Sequence, residues 1–195
     1  MEEIKAVIAV QACRLILHLQ RGDPPGEPFP HVHTILVYPG SFRGVREMRH
    51  ADGRVEVDAS WNQGEAWQDG KVLLAWDSAY QGGRRADDGR NLVIHEFAHQ
   101  LDLIDGEADG LPPVEARASR ERWKGIVSEG FARLQSEVQA GRTTVLDAYG
   151  ATHPAEFFAV ASEHFFETSR ELRCVHPELH AALVGFYQYD PQQTP

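Results

Sequence analysis

At 195 residues and 42% apolar content, the chain is long enough for one sizeable hydrophobic core and short for two, so a single domain over residues 1–195 is expected. Its 29 acidic residues against 19 basic ones, a formal net charge of −10, argue against a surface built for nucleic acid or an anionic membrane, since both need basic patches. Two distant cysteines, Cys13 and Cys174, make neither a disulfide framework nor a thiolate zinc site, and the acidic start Met1-Glu2-Glu3 is unlike a secretory leader; a soluble cytoplasmic protein is expected.

In chain order, residues 4–19 place Ile4, Val7, Ile8, Ala12, Leu15, Ile16 and Leu19 at helical spacing, with a Pro/Gly-rich loop at 21–26 closing this first amphipathic helix. It begins almost at residue 1, which raises the expectation of an N-terminally shortened chain. Residues 33–38 are a β-branched run stopped by Pro39-Gly40, and 54–58 alternate strictly after a turn at 51–53; both read as strands. His31 and His33 stand two apart on one strand face, a spacing shared by metal ligands and by ordinary surface histidines, and nothing is built on them. Residues 71–76 read as a third strand. Because it is the last strand before the most informative helix, it is expected to be a sheet edge over a cleft, accepting an extended peptide by main-chain pairing; its apolar content suits a central strand equally well.

That helix contains His95-Glu96-Phe97-Ala98-His99, with Asp87 or Asp88 expected to cap its start and Asp105-Gly106 to end it. Histidines four apart share a helix face, so their imidazoles can converge on one cation, the arrangement of zinc peptidases. Glu96 is turned about 100° round the helix from His95, which sets a carboxylate beside the metal, where a general base belongs. Val93, Ile94, Phe97, Ala98 and Leu101 make the segment apolar almost all round, so it should be buried, and a buried face carrying His95, Glu96, His99 and Asp102 needs compensation that a metal supplies.

After Pro112-Pro113, residues 117–139 carry Trp123, Val127, Phe131, Leu134 and Val138 at three- and four-residue spacings and read as a long structural helix. Pro154 fits a first helical position, placing Glu156 in the first turn of another helix and Glu163, seven residues on, on nearly the same face. Residues 177–189 form a last amphipathic helix, and 191–195 a loose tail.

A catalytic zinc takes three protein ligands, so two histidines leave one to find. Asp105 has the spacing of a known third ligand, but that pattern needs a glycine where this chain has Asp102, and a helix continuing through Asp102 carries Asp105 away. Glu156, on a separate helix, is the better candidate, with Glu163 behind it; an early-helix Glu is also an ordinary N-terminal device.

The chain resembles the Mlc titration factor A family of zinc metallopeptidases, whose catalytic core is similar to that of anthrax lethal factor. The resemblance covers most of the chain and rests on Val37-Tyr38-Pro39, the run from Leu92 to Asp102, Asp147-Ala148-Tyr149, the run from Pro154 to Glu163, and Phe186-Tyr187-Gln188-Tyr189-Asp190-Pro191. It implies His95, His99 and Glu156 as zinc ligands, Glu96 as general base, and Tyr149 facing the reacting carbonyl. Against what the resemblance implies, the additional N-terminal segment usual in the family is expected to be missing, and His153 stands before Pro154, where a smaller or acidic residue is common in relatives. The implied fold class is α+β, a zincin-like domain with a small mixed sheet packed against helices. The implied activity is aminopeptidase-like peptide hydrolysis with Zn2+ as cofactor and a peptide or protein as substrate. In enteric relatives a transcriptional repressor is bound, so the rival expectation is a protein-binding module that titrates such a regulator, its zinc site vestigial or structural.

Overall fold

The computed structural model describes residues 1–19, 29–49, 55–113 and 117–193. Along them run α1 (Glu2–Ile16), β1 (Thr34–Tyr38), β2 (Phe42–Arg49), β3 (Val55–Asn62), β4 (Gly64–Ala66), β5 (Lys71–Ala75), α2 (Trp76–Gly82), α3 (Leu92–Asp102), α4 (Arg117–Gln139), α5 (Pro154–Glu167), α6 (Ser169–Val175) and α7 (Pro177–Tyr187), with short 3-10 turns at Leu103–Asp105 and Ala148–Ala151. The class is α+β. The expected loop at 21–26, the turn at 51–53, Arg54 and the last two residues of the tail lie outside the described residues.

Helices supply most of the core. Ile8, Ala12 and Leu15 of α1, Val93, Ile94, Phe97 and Leu101 of α3, and Trp123, Val127 and Leu134 of α4 meet around α5 and α7. From Phe157 to Glu167, α5 is buried all along its length, its apolar side chains in the core and its Glu163 and Glu167 paired with neighbouring helices. Tyr187 of α7 stacks on Phe165 at 5.4 Å between ring centroids.

The strands form a mixed sheet in the order β1-β5-β4, with β1 parallel and β4 antiparallel to β5, and β2 and β3 make a separate antiparallel pair. This corrects the expectation that residues 71–76 are the sheet edge. β5 is hydrogen-bonded on both sides, and its last four residues are buried, so an incoming peptide finds no free edge there. Four apolar residues in a row are what a strand covered on both faces requires. The strand also stops at Ala75, where Trp76 begins α2. The cleft is bordered by β4, paired with β5 and with no other described strand, and by the end of β3 at Trp61 and Asn62.

α3 starts where its side chains allow. Asn91, not Asp87 or Asp88, is the N-cap, its Oδ1 accepting the Ile94 N–H at 3.0 Å. At the other end, Gly106 adopts φ +93° after the 3-10 turn, a left-handed conformation that glycine takes without penalty.

Candidate metal centre

The burial of α3 takes its polar residues inside with it, and four-residue spacing sets one histidine over the next: Nε2 of His95 and Nε2 of His99 are 3.2 Å apart. On α5, Pro154 takes the first position, and His153 caps the helix through Nδ1, which accepts the Ala155 N–H at 3.2 Å. His153 therefore performs the capping role itself. Glu156 follows in the first turn, and because α5 packs across α3 its Oε2 stands 3.0 Å from His95 Nε2 and 3.3 Å from His99 Nε2.

Three ligand atoms around a tetrahedral zinc, each about 2.0–2.1 Å from the ion, stand roughly 3.3 Å from one another. The observed triangle matches that spacing and combines two imidazoles with one carboxylate. Among the described residues it is the group of His, Cys, Asp or Glu side chains able to hold a metal ion. Asp105 is not part of it; its side chain is exposed in the turn beyond α3. Both cysteines are free and exposed, far from any such role.

Two turns after Glu156, the same helix presents Glu163 to the other side of the His95 ring, with Oε1 2.7 Å from Nδ1. With a metal ion bound, donating Nδ1–H to this carboxylate would leave Nε2 of a neutral imidazole with its lone pair directed at the ion. The second oxygen of Glu163 accepts the Asn91 N–H at 2.6 Å, so one carboxylate orients the ring and secures the start of α3.

Charge is distributed unevenly across the site. Burial opposes ionisation of Glu156, yet hydrogen bonds from His95 and His99 outweigh it and hold the carboxyl well below the usual range. Burial likewise opposes charge on His95, but Glu163 and Glu156 raise its pKa well above the ordinary imidazole value. Burial pushes Glu96 up to about 8, His95 opposing and Glu156 and Glu163 reinforcing the rise. A divalent cation beside these groups would favour their ionised forms.

Tyr149 sits in the 3-10 turn before α5, its ring centroid 6.1 Å from that of His95. It is 54% exposed, which rules out a buried structural tyrosine. Asp147 fixes the turn, its Oδ1 accepting the Tyr149 N–H at 2.9 Å while Oδ2 takes Arg90 Nη2 at 2.7 Å. His95, Glu96, His99, Tyr149 and Glu156 all line one cleft of about 1460 Å³, walled on one side by β4.

Asn91 and Arg90 contribute to this geometry without an assigned role in the sequence analysis. Asn91 carried a signal, since Asn is a preferred N-cap and precedes an apolar run.

The family model for "Glucose-regulated metallo-peptidase M90" matches residues 1–188. The chain is 41% identical over 192 residues to the uncharacterised protein slr2042 of Synechocystis sp., covering 97% of this chain and 68% of that protein. It is 32% identical over 162 residues to Mlc titration factor A of Yersinia pestis and of Yersinia pseudotuberculosis, covering 82% of this chain and 59% of each relative. The described residues include no helix long and apolar enough to cross a membrane.

Proposed function

Because the chain belongs to the glucose-regulated metallo-peptidase M90 family, we propose that it is a cytoplasmic zinc-dependent peptide hydrolase of aminopeptidase-like preference, acting as one zincin-like unit over residues 1–195. The observation that carries this reading is the triangle of His95, His99 and Glu156 with a separate carboxylate, Glu96, beside it. A structural zinc site closes with four protein ligands and has no use for an adjacent free base.

Zinc held by the three side chains supplies Lewis acidity to a carbonyl and brings the pKa of water down toward roughly 7. Glu96, ionised beside the cation, takes the proton from the attacking water and delivers it to the leaving amine. Tyr149, exposed to the cleft, donates its hydroxyl hydrogen to the oxyanion as charge develops there. The extended substrate pairs along β4, a strand bordering the cleft.

Glu96→Gln tests the reading. The amide keeps the shape of the carboxylate but accepts no proton, so hydrolysis should fall about 10²- to 10⁴-fold with zinc content and folding unchanged. Full activity in the zinc-loaded variant would remove Glu96 as the base. The name of the Yersinia relatives motivates a second reading, that the chain also titrates a regulatory protein on its surface. Under that reading alone, Glu96→Gln leaves the biological effect intact.

A further inference from the structure

Glycine weakens a strand unless something approaches it closely. Gly64 opens β4, and its backbone is not what requires the residue: the described glycines with positive φ are Gly70, Gly89, Gly106, Gly110 and Gly141. Contact requires it. A Cβ at position 64 would overlap Glu96 Oε1 and stand 2.7 Å from both Glu96 Cδ and Leu92 Cδ1. The carboxylate of Glu96 thus rests against the bare main chain of a strand that walls the cleft. Glu96 is 5% exposed. The strand's surface bounds the carboxylate on that side.

We propose that Gly64 is a positioning residue for the general base: its missing side chain is the space in which the Glu96 carboxylate is held, so that β4 sets the base as well as bordering the cleft. The inference rests on the reading of Glu96 as the base. Packing acts here as a hydrogen bond acts elsewhere, by denying the side chain its other rotamers. Both groups that a new methyl would meet are ends of flexible side chains, so the fold accommodates it by turning Glu96 aside.

The test compares zinc-loaded wild type, Gly64→Ala, Glu96→Gln and the double variant for hydrolysis of a peptide. It adds zinc stoichiometry, melting temperature and a crystal structure of Gly64→Ala. A displacement of about 1 Å at a reacting group costs on the order of 10²-fold. Gly64→Ala should therefore lower kcat by about that factor with KM, zinc content and melting temperature near wild type, and its crystal structure should show the Glu96 carboxylate displaced. In the Glu96→Gln background the same substitution should cost nothing further, because the base it acts through is gone. Should Gly64→Ala fail to fold, Glu96→Asp with and without Gly64→Ala decides the matter. The shorter side chain withdraws from the overlap, and Leu92→Ala in both backgrounds clears the other contact, so the variant carrying Gly64→Ala should fold and match its Gly64 counterpart in rate; failure to fold there, or a further loss of rate, would overturn the proposal. Full activity of Gly64→Ala, or an unmoved carboxylate, overturns the Gly64 inference alone. Wild-type activity in Glu96→Gln overturns the base and this inference with it.

Discussion

Glu163 Oε1 lies 2.7 Å from His95 Nδ1, while Glu156, two turns earlier on the same helix, meets Nε2 of that ring at 3.0 Å. The ring is gripped by one helix from both ends. A carboxylate accepts on both oxygens, and Glu163 uses the second for the Asn91 N–H. Glu163→Gln leaves one acceptor for two donors. Zinc affinity, measured by competition with a chelator, should fall about 10- to 100-fold. Unfolding of the metal-free protein should become easier by about 1–3 kcal/mol, the cost of an unsatisfied buried group. Unchanged affinity would mean that the Glu163 contact does not orient the ring for metal.

Tyr149→Phe removes the hydroxyl and keeps the ring that stands beside His95. A donor used chiefly in the transition state should show itself as a fall in kcat of about 10²-fold with little change in KM. Steady-state kinetics on one peptide suffice, and a KM effect alone would make Tyr149 a binding residue.

Asp147→Ala should destabilise by about 1 kcal/mol through loss of the cap on the Tyr149 turn, and lower kcat by shifting the ring. Arg90→Ala should do less, since its side chain is largely exposed and such pairs contribute about 0–1 kcal/mol. Burial opposes ionisation of Asp147, but the Tyr149 N–H and Arg90 together lower its pKa. Its contribution is therefore present above the normal carboxylate range and is lost as pH falls through the depressed value. Urea titrations of both variants at neutral and acidic pH read these differences.

Asp102 works in the opposite sense. Burial pushes its carboxyl up to about 7, although Oδ2 accepts the Gly110 N–H at 2.9 Å. Between the unfolded value near 4 and about 7 the folded protein binds the extra proton, so Asp102 withdraws stability as pH rises through that window. Asp102→Asn keeps an acceptor for Gly110 and carries no charge. Its melting temperature relative to wild type should rise from pH 5 to pH 8, with at most about 4 kcal/mol at stake. A constant difference across that range would show that Asp102 does not titrate there.

The helices were legible because each carries its own signal. The apolar spacing within 117–139 and Pro154 at a first position are local facts, and the structure has helices at Arg117–Gln139 and Pro154–Glu167. The proximity of Glu156 to His95 and His99 depends on how α5 crosses α3, which spacing along one strand of sequence does not contain, so Asp105 and Glu156 remained open there. The sheet was the least readable part. β4 is three residues, Gly64–Ala66, with no period to detect, and it is a strand because β5 pairs with it. Without β4, nothing assigned a partner to the second side of residues 71–76, and β5 was expected at the edge. β2 gave no alternating pattern, and α2 and α6, seven residues each, are too short for periodicity to stand out.

Glu167, at the last turn of α5, accepts from Arg14 Nη1 at 3.1 Å and from Asn91 Nδ2 at 3.2 Å on one oxygen, while Arg14 Nη2 donates to the Phe166 carbonyl at 3.0 Å. The first helix and the start of α3 thereby share a carboxylate that lies 153 residues from Arg14 and 76 from Asn91 in the chain. Amide exchange near Asn91 should then be governed by the same opening event that frees α1 around Arg14, making the two segments one cooperative unit despite their separation in the chain.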